Sequence, residues 1–357
     1  MKKILLLPLL LLFITVDAQT TAIPDANFEQ ALINLGYDSG SPDGVVLTAN
    51  INSVLSLFLF NMSISDLTGI EDFTALQSLM CADNLLSNLN VTQNINLNNL
   101  NCLNNQIGNL DVTQNVNLLT LNFANNQIVN IDVTQNILLD EFNCSGNLLT
   151  SLNVSQNPAL INLWCADNQI SNLNFSQNPA LYLLECNNNQ LSTLNLAVNS
   201  NLIVLGCTDN SLTCLNVKNG NNTNFASFFT TNNPSLTCIE VDNAAYSTAN
   251  WTNIDAGVTF NTNCANPCST FGVGMDELTF SSVSIYPNPT RDWITVSLEE
   301  RTPTTISLRN SLGQLLLSVK HPSSNEVVLD ISNYPNGLYF LQVEVDGQVI
   351  TRKVVKE

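Results

Sequence analysis

Apolar residues through the middle of the chain recur on a fixed ruler. Written in rows of 21, residues 74 to 220 fill seven rows without an insertion. Self-similarity at a constant period marks a solenoid in which each row is one coil. One apolar column reads Leu76, Leu97, Leu118, Leu139, Leu160, Leu181 and Leu202, and the next Leu79, Leu100, Leu121, Phe142, Leu163, Leu184 and Leu205. Two residues on stand Cys81, Cys102, Phe123, Cys144, Cys165, Cys186 and Cys207, and three further an asparagine, from Asn84 to Asn210. The second half of each row repeats this grammar, as in Leu149-x-x-Leu152-x-Val154-x-x-Asn157, so the repeat is nested. Apolar residues two apart share one face of a strand, which predicts a short strand at each Leu-x-Cys segment. Stacking then sets equivalent side chains about 4.8 Å apart, and each column becomes a ladder. Asparagine suits the bend because its amide pairs backbone groups of its own coil and the next. The sequons at Asn90, Asn153 and Asn174 are by-products of this repeat.

The pattern changes at both flanks. Asp25 is a predicted N-cap before a helix over Asn27 to Leu35, with Gly36 as its C-cap, and residues 19 to 50 would shield the first coil. The solenoid is expected over 51 to 243, opening on a degenerate coil at Val54-x-x-Leu57-x-Leu59. Residues 221 to 264 break the period, with Leu236-x-x-Ile239-x-Val241 as a last half coil, a C-terminal cap over 244 to 264 and a linker over 265 to 282. From 283 to 357 short alternating strands and the turn signals Pro335-Asn-Gly337 and Asp346-Gly347 predict a small β-sandwich. At the other end, Lys2-Lys3, the apolar run Ile4 to Val16 and Val16-Asp17-Ala18 read as a signal peptide over 1 to 18. The run is shorter than a spanning helix and holds Pro8, and none as long follows, so no transmembrane helix is expected in the mature chain.

These rows resemble the leucine-rich repeats, in their nested bacterial subtype of 21 residues with a cysteine in the central column; the likeness covers residues 54 to 243. The C-terminal motifs carry a second resemblance. Tyr286-Pro287-Asn288-Pro289, Gly313 within Leu312-Gly-Gln-Leu-Leu316, Gly337 and Tyr339 within Gly337-Leu-Tyr-Phe-Leu-Gln-Val343, and Lys353 within Arg352-Lys-Val-Val-Lys356 are together similar to the type A C-terminal sorting domain of the type IX secretion system. The resemblance implies a Bacteroidota protein that engages the type IX secretion machinery and is carried across the outer membrane to the cell surface or beyond. Such domains are usually cut off as the cargo is attached to lipopolysaccharide or released. The expected fold is thus an all-β-dominated leucine-rich repeat solenoid with short parallel strands and a helical N-terminal cap, followed by a small Ig-like β-sandwich.

Charge narrows the function classes. The chain has 357 residues, and 29 Asp and Glu face 10 Lys and Arg, a net charge of −19. Residues 19 to 281 carry 20 acidic groups against the single Lys218, whereas 282 to 357 carry eight against seven basic ones. Nucleic acid is excluded as a partner, because neutralising phosphates takes clustered Lys or Arg. The acidity keeps an Asn-rich coil soluble and is weak evidence for a cationic ligand. One histidine, His321, leaves little room for metal or acid–base chemistry. No nucleophile, zinc-protease or P-loop motif occurs, so neither enzyme activity nor a cofactor or metal is expected.

Six of the ten cysteines share one apolar column whose seventh member is Phe123, and they read as free buried thiols. Cys214, Cys238, Cys264 and Cys268 lie off the column near the C-terminal cap, where one disulfide is considered. On the outward ridges, Ile161, Trp164, Tyr182, Leu183 and Ile203 gather toward the C-terminal coils, with Glu141, Asp167, Glu185 and Asp209 as an acidic rim. An exposed apolar and aromatic patch of this kind suits a protein or glycan ligand. The favoured reading is a surface-displayed protein-binding or adhesion module, and the alternative a carbohydrate-binding accessory of a polysaccharide-degrading system.

Overall fold

A computed structural model describes residues 18–265, 268, 283–298, 305–310, 314–320, 324–345 and 348–357. The predicted signal peptide up to residue 17, nearly all of the linker, Gly313 and the turn at Asp346-Gly347 lie outside the described residues. The chain divides into two compact units, Met1–Thr270 and Phe271–Glu357.

The first unit is a solenoid. Among the described residues, nine three-residue strands form one parallel sheet in which neighbours are successive coils, from Ser56–Phe58 through Asn99–Asn101, Glu141–Asn143, Asn162–Trp164 and Leu183–Glu185 to Ser227–Phe229. The register pairs each strand with its equivalent 21 or 22 residues away, for example Leu163 with Leu184, except at the last step, where Leu205 pairs with Phe228. The central residue of each strand faces inward and is buried, and its two neighbours face outward. Among the described residues the second half coils pair in parallel at two places, over Leu89–Asn90 with Leu110–Asp111 and, as a four-stranded second sheet toward the C-terminal end, over Thr193–Asn195, Cys214–Asn216, Cys238–Glu240 and Thr259–Asn261. Residues 244 to 264 therefore contribute the last strand of this second sheet, beyond the boundary expected from the period.

Two asparagine ladders knit the coils. Each amide of the first column reaches back to the preceding coil rather than forward, as the sequence alone suggested. The Asn147 amide donates to Cys144 O (3.1 Å) and Ser145 O (3.2 Å) of its own coil and Phe123 O (3.2 Å) of the one before, and its Oδ1 accepts from Ile128 N (3.0 Å). The second column uses only half of each amide: Asn157 donates to Val133 O (3.0 Å) and Asn136 O (2.8 Å), while its Oδ1 has no hydrogen-bond partner. Side chains at a third turn form an outer ladder of left-handed residues, in which Asn188 donates to Asp167 and Asn232 to Asp209 (2.7 and 2.8 Å). Short Asx side chains tolerate that backbone. Gly146 takes the same conformation, and a Cβ there would collide with the Asn125 amide oxygen.

The cysteine column, Cys81 to Cys207, is fully buried, and its six thiols are free. Burial raises all six, Cys102 and Cys165 to about 12. A raised acid favours the folded chain fully below the ordinary thiol value of about 8.5, and that contribution is lost as pH rises from there toward the folded values. The native chain is therefore expected to show no thiol reactive toward a disulfide reagent at pH 8 and six in denaturant, and to lose stability above pH 9. Six reactive thiols in the native chain would contradict the ladder.

Both ends of the ladder are closed. Asp25 caps the helix Ala26–Asn34 and also accepts from Ser65 N, Ser65 Oγ and Asp66 N of the first coil (2.8, 2.7 and 3.1 Å). Partial burial works to raise its carboxyl, but these bonds and that from Phe28 outweigh burial and hold it below the usual range. An antiparallel pair of strands, Thr20–Ala22 and Val45–Leu47, absent from the sequence reading, completes this cap. At the far end no further coil can accept from Asn232 N and Asn233 N, and the Asp255 carboxylate takes both (2.8 and 2.6 Å). Trp251 closes the core there, stacked on Phe228 with ring centroids 4.0 Å apart. Instead of the one disulfide considered, there are two: Cys214 bonds Cys268 and Cys238 bonds Cys264. Cys214 and Cys238 sit on neighbouring strands of the second sheet, and each is stapled to the chain returning over it.

The second unit holds two antiparallel sheets. Val283–Tyr286, Trp293–Leu298 and Glu326–Asp330 form one; Leu315–Lys320, Thr305–Asn310, Gly337–Val345 and Gln348–Lys356 form the other. Ile294, Val296, Ile306, Leu308, Leu341 and Val354 are buried in the core of this unit.

Candidate functional site

The outward ridges of the main sheet are the solenoid's most repeated surface, and most of their N-terminal and middle rungs are small and polar: Ser78, Asn99, Asn101, Thr120, Asn122 and Asn143. Trp164 interrupts them. It pairs with Asn143 on one side and Glu185 on the other, and Glu141 pairs with Asn162. With Thr120, Asn122, Glu141 and Asn143, the Trp164 ring lines a shallow cavity of about 220 Å³ over the sheet. Glu141 is exposed. The only basic residue between Lys3 and Arg291 is Lys218, whose Nζ donates to Thr262 O (2.9 Å), so no cation of the solenoid neutralises Glu141.

The single patch expected from the sequence divides. Trp164 belongs to the cavity on the sheet face. Ile161, Tyr182 and Ile203 instead stand one residue before their strands, along an open groove of about 540 Å³ at the strand entry. Leu183 is half-buried between the two. Three of the four rim carboxylates have other duties. Asp167 and Asp209 are turn residues of the outer Asx ladder. Glu185 accepts from Asn187 (2.6 Å) and lies across Gly206, where any Cβ would collide with its Oε2. Only Glu141 faces the Trp164 cavity. The sequence signal for this distinction was weak: Glu141 and Asp140 are adjacent, and which one reaches the face depends on where the strand starts.

In the second unit the sorting motif converges on the last strand. Both X-Pro bonds of Tyr286-Pro287-Asn288-Pro289 are cis. The Asn288 amide donates to Lys353 O (2.8 Å) and its Oδ1 accepts from Val355 N (2.9 Å), while Thr290 N donates to Val355 O (2.9 Å). The Tyr286 hydroxyl donates to Glu326 (2.7 Å), that of Tyr339 to Pro335 O, and Gly337 pairs with Lys356. Lys353 contributes its backbone and leaves its side chain exposed. Lys356, which the motif reading did not single out, is the buried lysine, its Nζ donating to Ser332 O (2.8 Å) and Tyr334 O (2.5 Å). Pro287, Pro289, Arg291, Trp293 and Glu357 line a cavity of about 270 Å³ beside the motif. Among the described residues, no group of three or more His, Cys, Asp or Glu could hold a metal ion, and no helix is long and apolar enough to cross a membrane.

Comparison with known proteins follows this division. Residues 284–357 match the family model described as the secretion system C-terminal sorting domain. An ulvan lyase of Nonlabens ulvanivorans, NLR42, is 30% identical over 84 residues, which are 23% of this chain and 16% of that protein. The chain thus matches about a sixth of that relative's length. Among solved structures, internalin C2 of Listeria monocytogenes superposes with a TM-score of 0.50 at 19% identity, covering 69% of this chain and 99% of its own. The functional domain of InlJ from the same organism, described as including a cysteine ladder, gives 0.47 at 22% identity over 96% of this chain and 100% of its own. The first unit has the leucine-rich repeat fold, and the C-terminal domain is a type IX sorting domain that sends the chain across the outer membrane to the cell surface or extracellular space.

Proposed function

We propose that the exported solenoid is a non-enzymatic adhesion module that binds a protein through the sheet face around Trp164. The observation that carries this reading is the juxtaposition of Trp164 with Glu141 over an open cavity, on a face whose nearest rungs on the N-terminal side offer the small polar side chains Asn143, Asn122 and Thr120. A half-exposed tryptophan is the side chain most often found as an interface anchor, and small polar neighbours leave its ring accessible to a partner. The solenoid supplies Glu141 with no cation, so a partner that presents Arg or Lys gains an ion pair and can lay the same guanidinium on the Trp164 ring. The local pair, not the net charge of the chain, is what favours a basic contact.

The proposal is tested by binding the secreted chain to a panel of immobilised extracellular matrix and bacterial surface proteins. For whichever protein binds, Trp164→Ala is expected to weaken affinity about thirtyfold, the scale of an interface hot spot. Glu141→Gln is expected to slow association and flatten its salt dependence. Unchanged affinity in Trp164→Ala for every bound protein would sink the reading.

A further inference from the structure

We propose that the groove at the strand entry, centred on Tyr182, is a second binding site whose ligand is a neutral oligosaccharide. Its floor is three rungs of one ladder, Ile161, Tyr182 and Ile203, with Tyr182 44% exposed at the centre. Rungs repeat at about 4.8 Å, a spacing close to the advance of one pyranose ring along an extended glycan. The face of a pyranose ring is a sheet of C–H groups, which packs on an aromatic ring, and the flanking isoleucines offer apolar contact to the sugars on either side. The polar groups stand at the rim. Asn201 donates its amide to Pro179 O (3.1 Å) and Asn224 donates to Asn221 Oδ1 (2.6 Å), which leaves both carbonyl oxygens able to accept from sugar hydroxyls. Ser200 adds a hydroxyl.

The rim is held in place from beneath. Asn224 ends the short turn Asn222–Asn224, whose Asn222 is buried and bonded to Asp242 and Val217, while the Tyr246 hydroxyl donates to Thr223 O (3.1 Å). Charge selects the ligand class. No residue lining the groove carries a charge, although the surrounding solenoid is strongly acidic. An acidic polysaccharide would meet that field without a compensating cation, and a basic ligand would find no carboxylate in the groove. The ladder below is different: its next rung down from Ile161 is Asp140. An apolar floor of this volume with a few convergent polar groups is the ordinary make-up of a small-ligand site.

The test is calorimetry on the secreted chain with neutral gluco- and manno-hexasaccharides and an acidic galacturono-hexasaccharide. A neutral hexasaccharide is expected to bind. Tyr182→Ala is expected to weaken it at least tenfold, Tyr182→Phe to retain it, and Trp164→Ala to leave it unchanged, since the two sites are separate. Asn224→Ala, at an exposed turn, provides a second variant should Tyr182→Ala lose its fold. The proposal is overturned if no neutral hexasaccharide binds at millimolar concentration, if Tyr182→Ala binds as well as the parent, or if the acidic sugar binds more tightly. Loss of a protein ligand in Tyr182→Ala, with no sugar bound, would also overturn it and assign the groove to the protein interface. Failure of the Trp164 reading leaves these sugar measurements unaffected.

Discussion

Asn147→Ala is expected to unfold at a markedly lower urea concentration than the parent chain, with a loss of about 3 kcal/mol. The Asn147 side chain is buried at the middle of the stack, and its amide serves three carbonyls and one N–H across two coils. Alanine leaves Ile128 N without an acceptor, while Phe123 O and Cys144 O keep the amides of Asn126 and Asn168. Desolvated groups left unpaired cost more than the net worth of the bonds themselves. Asn157→Ala provides the internal contrast. It also breaks two bonds, but it removes an Oδ1 that has no partner, so its cost should be about half as large. Because each coil contacts only its neighbours, the loss should localise, with amide exchange accelerating first in residues 123 to 150. Equal destabilisation by the two substitutions, measured by urea unfolding, would show that the first ladder does not carry the extra load assigned to it.

Reduction of the two disulfides is expected to release the C-terminal cap before the rest of the solenoid. Cys238–Cys264 closes 26 residues and Cys214–Cys268 closes 54. On the chain-entropy account these are worth about 3.5 and 4 kcal/mol, less when counted together because one loop lies inside the other. What they hold is the last strand, Thr259–Asn261, and the aromatic lid in which Trp251 meets Phe228 and Phe260. Adding a reductant, or making Cys238→Ser with Cys264→Ser, should lower the temperature at which Trp251 emission shifts to the red. The transition of the central coils should move by only a few degrees. A single cooperative transition that shifts as a whole would mean that the cap and the coils do not melt separately.

The coils were legible in the sequence because each of their requirements recurs at one spacing. A buried leucine, a buried small thiol and a bend asparagine stand at fixed offsets in row after row, and any position that broke the rule would expose itself. What resisted reading lay where the period stops or where a decision is local. The pairing of Cys214 with Cys268 depends on a chain that returns across the second sheet after the repeats end, and no spacing encodes that path. The Asp167 and Asp209 carboxylates read as rim groups of a patch because sequence reports charge. Their left-handed backbone, which makes them turn residues, shows only in the fold. Gly206 had no visible role until Glu185 was found lying across it. Trp164 and Tyr182 sit in neighbouring rows and looked like one patch; the three-residue offset between them along their respective coils puts one over the sheet and the other at its entry. In the sorting domain the motif residues were legible, but Lys353 and Lys356 differ by three positions on a strand and so face opposite ways, and the buried one is Lys356.

Site-specific photo-cross-linking tests the central claim most directly. A photoreactive residue at position 143, beside Trp164 on the sheet face, is compared on intact cells with one at position 148, which is exposed beyond the turn. The account predicts that position 143 captures a discrete protein partner, that Trp164→Ala abolishes this adduct, and that position 148 captures none of it. Equal capture at both positions, or an adduct at 143 that survives Trp164→Ala, would contradict it.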